Sequence, residues 1–320
     1  MTPEMRILGR TGLRTPRLVL GGNVFGWTAT GEDAFRILDR FADAGGTMVD
    51  TADVYSAWVP SHEGGESESL IGDWLRRRGA RGRIQVATKV GMLPWGGEPR
   101  LEPARIAAAA EASLRRLGVE TIDLYYAHQD DPATPLEETL AGFDRLVRDG
   151  KVRSLGASKF SAERLAEAVD ISEREGLARY DVLQNEFHLM NRSAFEGPLQ
   201  RLCLERDIVH LPFYGLASGF LTGKYRSAAD QGKSVRGDRM GKYLNARCFA
   251  VLAALDDIAA EAGATPAQVA LAWVAAQPAV TAPIASARTP EQLEEILGAM
   301  TLDLSPGQLA RLDEASRTEE

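Results

Sequence analysis

Short aliphatic runs recur eight times along the 320-residue chain, and stretches with helical periodicity separate them. The runs occupy residues 17–20, 47–50, 84–88, 122–126, 152–156, 182–184, 208–211 and 280–284. Strands that alternate with helices pair in parallel, because each helix crosses over from one strand to the next. The runs are almost continuously hydrophobic, which is typical of strands buried on both faces. The pattern therefore leaves a doubly wound sheet or a closed barrel as the candidate folds.

Eight strand-helix units favour the barrel. A doubly wound dinucleotide-binding sheet carries GxGxxG after its first strand, whereas residues 20–23 read Leu-Gly-Gly-Asn and lack that spacing. Before the first run, residues 5–8 and 13–16 flank Gly-Arg-Thr-Gly, which predicts a β-hairpin that caps the barrel bottom. Helices are predicted at residues 32–44, 66–78, 103–117, 136–149, 162–175, 246–262 and 266–277, with closing helices at 291–297 and 306–316. We predict one α/β domain over residues 1–320, a (β/α)8 TIM barrel with an N-terminal β-hairpin and extra C-terminal helices.

The charge and cysteine content restrict the kinds of partner. The formal net charge is −8 and the longest basic run is the three arginines at 76–78, so nucleic acid is not an expected partner. No run approaches the ~20 apolar residues of a membrane helix, and residues 1–10 lack the apolar core of a signal peptide. Cys203 and Cys248 have no CxxC spacing, which favours free thiols over a disulfide or a zinc site. A cytoplasmic protein without membrane contact is expected, and nothing in the sequence indicates its oligomeric state.

Three polar residues follow consecutive predicted strands at equal intervals. Asp50, Lys89 and His128 succeed one another at steps of 39 residues, the length of one strand-helix unit. The carboxyl ends of barrel strands share one rim, so we expect these side chains to converge there, with Tyr55 in the loop after Asp50. Taken alone, Asp50 also fits a helix N-cap and Lys89 a surface lysine, but their common spacing favours catalysis. A phenol beside an ammonium suits general acid catalysis, because the ammonium stabilises the phenolate.

Motifs in a fixed order carry a family resemblance. They are Gly-Thr-Met-Val-Asp-Thr-Ala-Asp-Val-Tyr at 46–55, Ala-Thr-Lys at 87–89, Asp-Leu-Tyr-Tyr-Ala-His at 123–128, Gly-Ala-Ser at 156–158, Leu-Gln-Asn-Glu at 183–186, and the segments 217–225 and 284–293. Through them the chain resembles the aldo-keto reductases of the bacterial type, which are related to the potassium-channel β-subunit branch. The resemblance implies transfer of a hydride from NADPH to an aldehyde or ketone without metal. It also implies a tetrad in which Tyr55 donates the proton, Lys89 lowers the pKa of that phenol, Asp50 pairs with Lys89, and His128 orients the substrate carbonyl.

The same resemblance implies an NADPH site along the rim. Ser158 and Gln184 match the residues that hold the nicotinamide carboxamide, and Lys159 stands where relatives usually have Asn. Phe213 matches the ring-stacking position, with Tyr214 as an alternative offset by one residue. The other cofactor candidates are Gly22 and Asn23; Leu216, Ser218 and Lys224 for the pyrophosphate; Ser286 and Arg288 for the adenosine 2′-phosphate; and Gln292 and Glu295 for adenine and ribose, followed by Ile296 in place of a common Asn. Because an Arg suits a phosphate, the resemblance favours NADPH over NADH.

Two further features concern the loops of the rim. Trp27, Trp58 and Trp95 each follow a predicted strand and predict an aromatic substrate pocket. Residues 219–244, rich in Gly, Lys, Arg and Ser, follow the seventh predicted strand and are predicted to close over the pyrophosphate as a lid.

These features favour one function over another. The first is an NADPH-dependent reductase of an aldehyde, a ketone or a sugar-like carbonyl. The alternative is a regulatory subunit that holds NADPH as a redox sensor with negligible turnover, as in the channel β-subunit branch. His128 favours the enzyme, because that branch lacks His at this position.

Overall fold

The computed structural model describes residues 3–93, 100–227, 229–230 and 240–317. Two short strands, β1 (Arg6–Ile7) and β2 (Arg14–Thr15), form an antiparallel hairpin. Eight parallel strands follow: β3 (Val19–Gly21), β4 (Met48–Asp50), β5 (Gln85–Val90), β6 (Ile122–Ala127), β7 (Val152–Ser158), β8 (Tyr180–Gln184), β9 (Val209–His210) and β10 (Ile284–Ala285). Their spatial order is β10-β3-β4-β5-β6-β7-β8-β9. The predicted α/β barrel with an N-terminal hairpin is confirmed.

The seam between β9 and β10 closes the ring. The backbone of His210 in β9 donates to Ala279 O over 2.7 Å and accepts from Thr281 N over 3.0 Å. On its other side, β10 pairs with β3, so the first and last barrel strands are neighbours. β10 starts at Ile284, later than the predicted run, because Pro283 has no N–H to donate to a ladder.

The barrel interior is filled by side chains that alternate along the strands. They are Val19, Met48, Ala87, Leu124, Tyr126, Val182, Leu211, Ala282 and Ile284. Leu8 and Leu13 of the hairpin belong to the same buried cluster, so the hairpin plugs the end where the strands begin. Arg6 Nη1 holds it there by donating to Ala275 O over 2.7 Å and to Thr281 O over 3.0 Å. The functional site is therefore confined to the opposite end of the barrel.

Helices surround the strands and bury a continuous outer core with them. They are α1 (Gly31–Asp43), α2 (Glu66–Arg78), α3 (Pro103–Leu117), α4 (Leu136–Arg148), α5 (Ala162–Glu175), α6 (Pro198–Glu205), α7 (Ala246–Ala262), α8 (Pro266–Ala275), α9 (Pro290–Leu297) and α10 (Pro306–Ser316). Capping boxes at Thr265 and Ser305 begin α8 and α10. Within the described ranges, none of the helices combines the length and apolarity needed to cross a membrane.

Candidate active site

Four predicted catalytic residues meet at the carboxyl ends of adjacent strands. Asp50 ends β4, Lys89 lies near the end of β5, and His128 directly follows β6. The Lys89 ammonium is completely buried and donates to Asp50 Oδ1 over 2.6 Å, to Thr51 O over 2.6 Å and to the Tyr55 hydroxyl over 3.2 Å. The rings of Tyr55 and His128 lie 6.0 Å apart between centroids. The equal sequence intervals therefore correspond to one contiguous cluster.

The loop after β4 holds Tyr55 over Lys89 through backbone contacts. The N–H of Thr51 donates to Ala87 O over 2.8 Å, and the N–H of Asp53 donates to Lys89 O over 3.2 Å. These bonds extend the β5 pairing beyond the end of β4. Further along, Ser56 adopts a left-handed φ of 77° and its hydroxyl donates to Phe25 O over 2.9 Å. The phenol is thus positioned by the ends of two strands and by the loop after β3.

The electrostatics keep the phenol protonated. Burial raises the pKa of Tyr55, and the Lys89 ammonium opposes this rise without cancelling it. Lys89 therefore acts on the phenol in the expected direction, but the net direction is upward. Burial also raises the pKa of Asp50, against the pull of Lys89. Burial lowers the pKa of Lys89, but Asp50 and Tyr55 outweigh it and the net pKa is raised, so the ammonium stays charged.

His128 is a neutral imidazole in this setting. Burial, followed by the charges of Lys89 and Lys159, holds its pKa well below the usual value. Its Nδ1 is buried and has no hydrogen-bond partner within the described part of the chain. A neutral imidazole can donate one hydrogen bond to a ligand oxygen without carrying charge.

A cavity of about 960 Å³ joins this cluster to the predicted cofactor residues. Asp50, Tyr55 and His128 line it, and Lys89 lies beneath Tyr55. The cofactor candidates in its wall are Asn23, Ser158, Lys159, Gln184, Phe213, Tyr214, Leu216, Ser218, Lys224, Ser286, Arg288, Gln292 and Glu295. Gly22 lies behind the wall, where its N–H donates to Asp50 O over 2.7 Å and its carbonyl accepts from the Ser67 hydroxyl over 2.7 Å.

At one end of the cavity, amide and hydroxyl groups connect the predicted nicotinamide residues to the catalytic cluster. Gln184 Nε2 donates to Asp50 Oδ2 over 2.8 Å. The Ser158 hydroxyl donates to Gln184 O over 2.7 Å. Asn185, which follows Gln184, accepts the backbone N–H of Lys159 on its Oδ1 over 2.6 Å. Asn185 was not a predicted site residue, although its place beside Gln184 in the 183–186 motif is a signal that could have identified it.

The other end of the cavity presents groups suited to phosphates. Ala217, Ser218 and Gly219 have left-handed φ values of 48°, 58° and 98°, and the tight turn that they form brings Ser218 and Gly219 into the cavity wall. Lys224 Nζ lies within 3.3 Å of the position that a Cβ on Gly219 would occupy. Arg288 lines the same cavity, so the donor set fits the pyrophosphate and phosphate groups of a dinucleotide.

The wall between the two ends is close-packed. The Ser286 hydroxyl donates to Asn23 Oδ1 over 2.6 Å, and Gln292 Oε1 accepts the Arg288 N–H over 3.0 Å. A Cβ added to Gly21, which was not a predicted site residue, would collide with the Ser286 hydroxyl. A larger residue at Gly21 would displace the Ser286 hydroxyl from its contact with Asn23.

Two of the predicted tryptophans lie together at the mouth. Trp27 and Trp58 line the cavity and meet edge to face with ring centroids 5.7 Å apart. Trp58 is also 6.0 Å from the Tyr55 ring. Trp95 lies outside the described residues, as do Lys233 and Arg236 of the predicted lid. Met92, in the loop after β5, joins the wall without having been predicted.

Comparison with known proteins adds an independent observation. The sequence profile of the Aldo/keto reductase family matches residues 17–317. The chain belongs to the aldo/keto reductase family. It is therefore an oxidoreductase of a family that uses nicotinamide cofactors, and the resemblance seen in its motifs is confirmed.

Similar proteins within the family have different names. The L-glyceraldehyde 3-phosphate reductase of Escherichia coli is 32% identical over 97% of this chain and 92% of its own length. The aldo-keto reductase yakc [NADP(+)] of Schizosaccharomyces pombe is 32% identical over 87% of this chain and 81% of its own. A candidate voltage-gated potassium channel β-subunit of the same yeast is 31% identical over 97% and 92%.

Proposed function

We propose that this protein is an NADPH-dependent reductase that converts an aldehyde or ketone to an alcohol, with Tyr55 as the general acid. The observation that carries the proposal is the buried contact of Tyr55 with the Lys89–Asp50 pair at the base of the cavity. There, a protonated phenol and a neutral imidazole can donate hydrogen bonds to a carbonyl oxygen, and the charged ammonium lies behind the phenol.

Each residue of the cluster has a distinct task. NADPH, when bound, supplies the hydride. Tyr55 gives its proton to the carbonyl oxygen as negative charge develops there, and Lys89 stabilises the resulting phenolate. The neutral His128 directs the carbonyl by donating a hydrogen bond to the same oxygen. Asp50 holds the Lys89 ammonium with one carboxylate oxygen. With the other it holds the carboxamide of Gln184, on the side of the cavity that would bind the nicotinamide.

NADPH is proposed over NADH because Arg288 and Ser286 lie together in the cavity wall. A guanidinium suits a phosphate, which NADPH carries on its adenosine ribose and NADH lacks. The similar yeast reductase named for NADP(+) supports this choice. We place the reaction in the cytoplasm, where the free and buried Cys203 and Cys248 are expected.

The alternative is a regulatory subunit that senses the NADPH redox state with negligible turnover. The similar channel β-subunit candidate supports it. His128 and the complete Asp50–Lys89–Tyr55 contact chain oppose it, because a sensor has no need of a proton donor over the cavity.

Tyr55→Phe tests the proposal, because it keeps the ring and removes only the donor. We expect NADPH oxidation with a panel of aldehydes and ketones to be measurable in the wild type. In Tyr55→Phe, kcat should fall by ~10²–10⁴ while the Kd for NADPH, followed by fluorescence, stays within a few-fold. Wild-type turnover no faster than that of Tyr55→Phe across the panel would reject the reductase in favour of the sensor.

A further inference from the structure

Lys159, the first residue after β7, has an unusual backbone conformation. Its φ is 59°, in the left-handed region that costs most side chains about 1 kcal/mol and that Asn or Gly adopts more readily. The Asn185 carboxamide holds this conformation by accepting the Lys159 N–H over 2.6 Å. Residues kept in such conformations cluster at functional sites, so the conformation of Lys159 suggests a function for its side chain.

The Lys159 side chain extends across the mouth of the barrel. Its Nζ lies 3.1 Å from Met92 Sδ, in the loop after β5. Because β6 lies between β5 and β7, the side chain passes over the end of β6, where His128 stands. The ammonium is close enough to His128 for its charge to help lower the pKa of the imidazole. The cation therefore lies beside the group proposed to orient the substrate carbonyl.

The Lys159 charge has no counterion within the described ranges of the chain. Its Nζ contacts the thioether of Met92, which carries no charge. Two carboxylates that line the same cavity are already engaged, since Asp50 pairs with Lys89 and Glu186 contacts His188 Nε2 over 2.9 Å. Burial and the nearby Lys89 lower the pKa of Lys159, so the site is one that an anion would stabilise.

We propose that Lys159 binds an anionic group of the substrate, a carboxylate or a phosphate, and so selects carbonyl compounds that carry one. The inference rests on the proposed reductase function and names its substrate class. The ammonium reaches toward Met92, whereas Ser158 and Gln184, the predicted nicotinamide residues, lie at the base of the side chain. The cation is thereby assigned to the substrate rather than to the cofactor.

Matched substrate pairs test the inference. Succinic semialdehyde is compared with methyl 4-oxobutanoate, and glyceraldehyde 3-phosphate with glyceraldehyde. In Lys159→Met, kcat/KM for the anionic member of at least one pair should fall by ~10–100-fold, mainly through KM, as expected for one charge-assisted hydrogen bond. The neutral members should change less than about 3-fold, and Lys159→Arg should restore most of the loss. The pair with the larger effect identifies the anion.

Controls separate the possible outcomes. Lys151→Met removes a positive charge at the opposite end of β7 and should leave both pairs unchanged. Equal losses for charged and neutral substrates in Lys159→Met would overturn the inference, as would a matching rise in the Kd for NADPH measured by fluorescence.

Calorimetry of succinate and of glycerol 3-phosphate binding to the NADP⁺ complex needs no turnover. Binding of either anion by the wild type that is lost in Lys159→Met supports the anion site, even if no carbonyl is reduced and the proposed function fails. Unchanged binding, or no binding in the wild type, overturns it even if neutral aldehydes are reduced.

Discussion

Lys89 uses all three of its ammonium hydrogens inside the protein, on Asp50, Thr51 O and Tyr55. A buried ion pair is tolerated when hydrogen bonds satisfy its remaining polar atoms. Gln184 Nε2 does this for the second carboxylate oxygen of Asp50. With these three partners the ammonium has no hydrogen left to donate elsewhere. Proton donation therefore depends on a small set of fixed contacts, which come from β4 and the loop after it, from β5 and from β8.

Asp53, three residues after Asp50, is a buried carboxyl of a different kind. It is 3% exposed, and its Oδ1 has no hydrogen-bond partner among the described residues. Burial, and then the neighbouring Glu68, raises the pKa of Asp53 to about 7, against the opposing charge of Arg116. Between pH ~4 and ~7 the folded protein keeps a proton that the unfolded chain releases, so stability falls as the pH rises through this window.

Asp53→Asn removes this pH dependence, because an amide stays neutral. We expect the variant to be more stable than the wild type by about 1–3 kcal/mol at pH 8, with the difference shrinking toward zero as the pH falls to ~4, in urea unfolding. Asp33→Asn, on the exposed face of α1, is the control. If Asp53→Asn were less stable than the wild type at pH 8, the stabilising contacts of the charged Asp53 carboxylate would exceed the cost of burying its charge.

At the scale of the element, strand spacing explains why the catalytic cluster could be predicted. Each strand-helix unit returns the chain to the same rim, so the backbone brings Asp50, Lys89 and His128 together regardless of their side-chain conformations. The left-handed turn at Lys159 could not be predicted, because it depends on Asn185 from the next strand. The helix α6 was missed since only Leu199 and Cys203 of it are buried, too few to produce a helical period.

The turn at Ala217–Thr222 is the element predicted to respond to the cofactor. The turn lines the cavity beside Lys224, and it bonds the N–H groups of Ala217 and Gly219 internally, to Tyr214 O and Leu216 O. Adding NADPH should slow amide hydrogen exchange across residues 217–227, as measured by mass spectrometry. Peptides from the hairpin at residues 6–15, at the opposite end of the barrel, should not change. An unaltered exchange pattern in the turn would remove it from the cofactor site.

For the whole molecule, the outer hydrophobic core is one continuous cluster, which argues against separate, independently folding domains. We expect calorimetry to show a single unfolding transition for the chain. The midpoint temperature should rise by several degrees with NADPH at ~100 times its Kd, because binding at that concentration adds about 2.7 kcal/mol to the free energy of unfolding. NADH at the same concentration should raise the midpoint temperature less than NADPH does. In Arg288→Ala the shifts caused by the two cofactors should become more alike. Two separate transitions would contradict the single domain predicted from the sequence.

The adjacency of β3 and β10 has a consequence for the order in which the protein is made. During synthesis the catalytic residues leave the ribosome early, but the strand that seals the barrel against β3 arrives only near residue 284. Until then the exposed edges of β3 and β9 have no partner and could pair with other chains. The hydrogen bond from Ser286 to Asn23, across 263 positions, can form only after nearly the whole protein has emerged. A truncated product should therefore carry the complete tetrad and still be inactive and prone to aggregation.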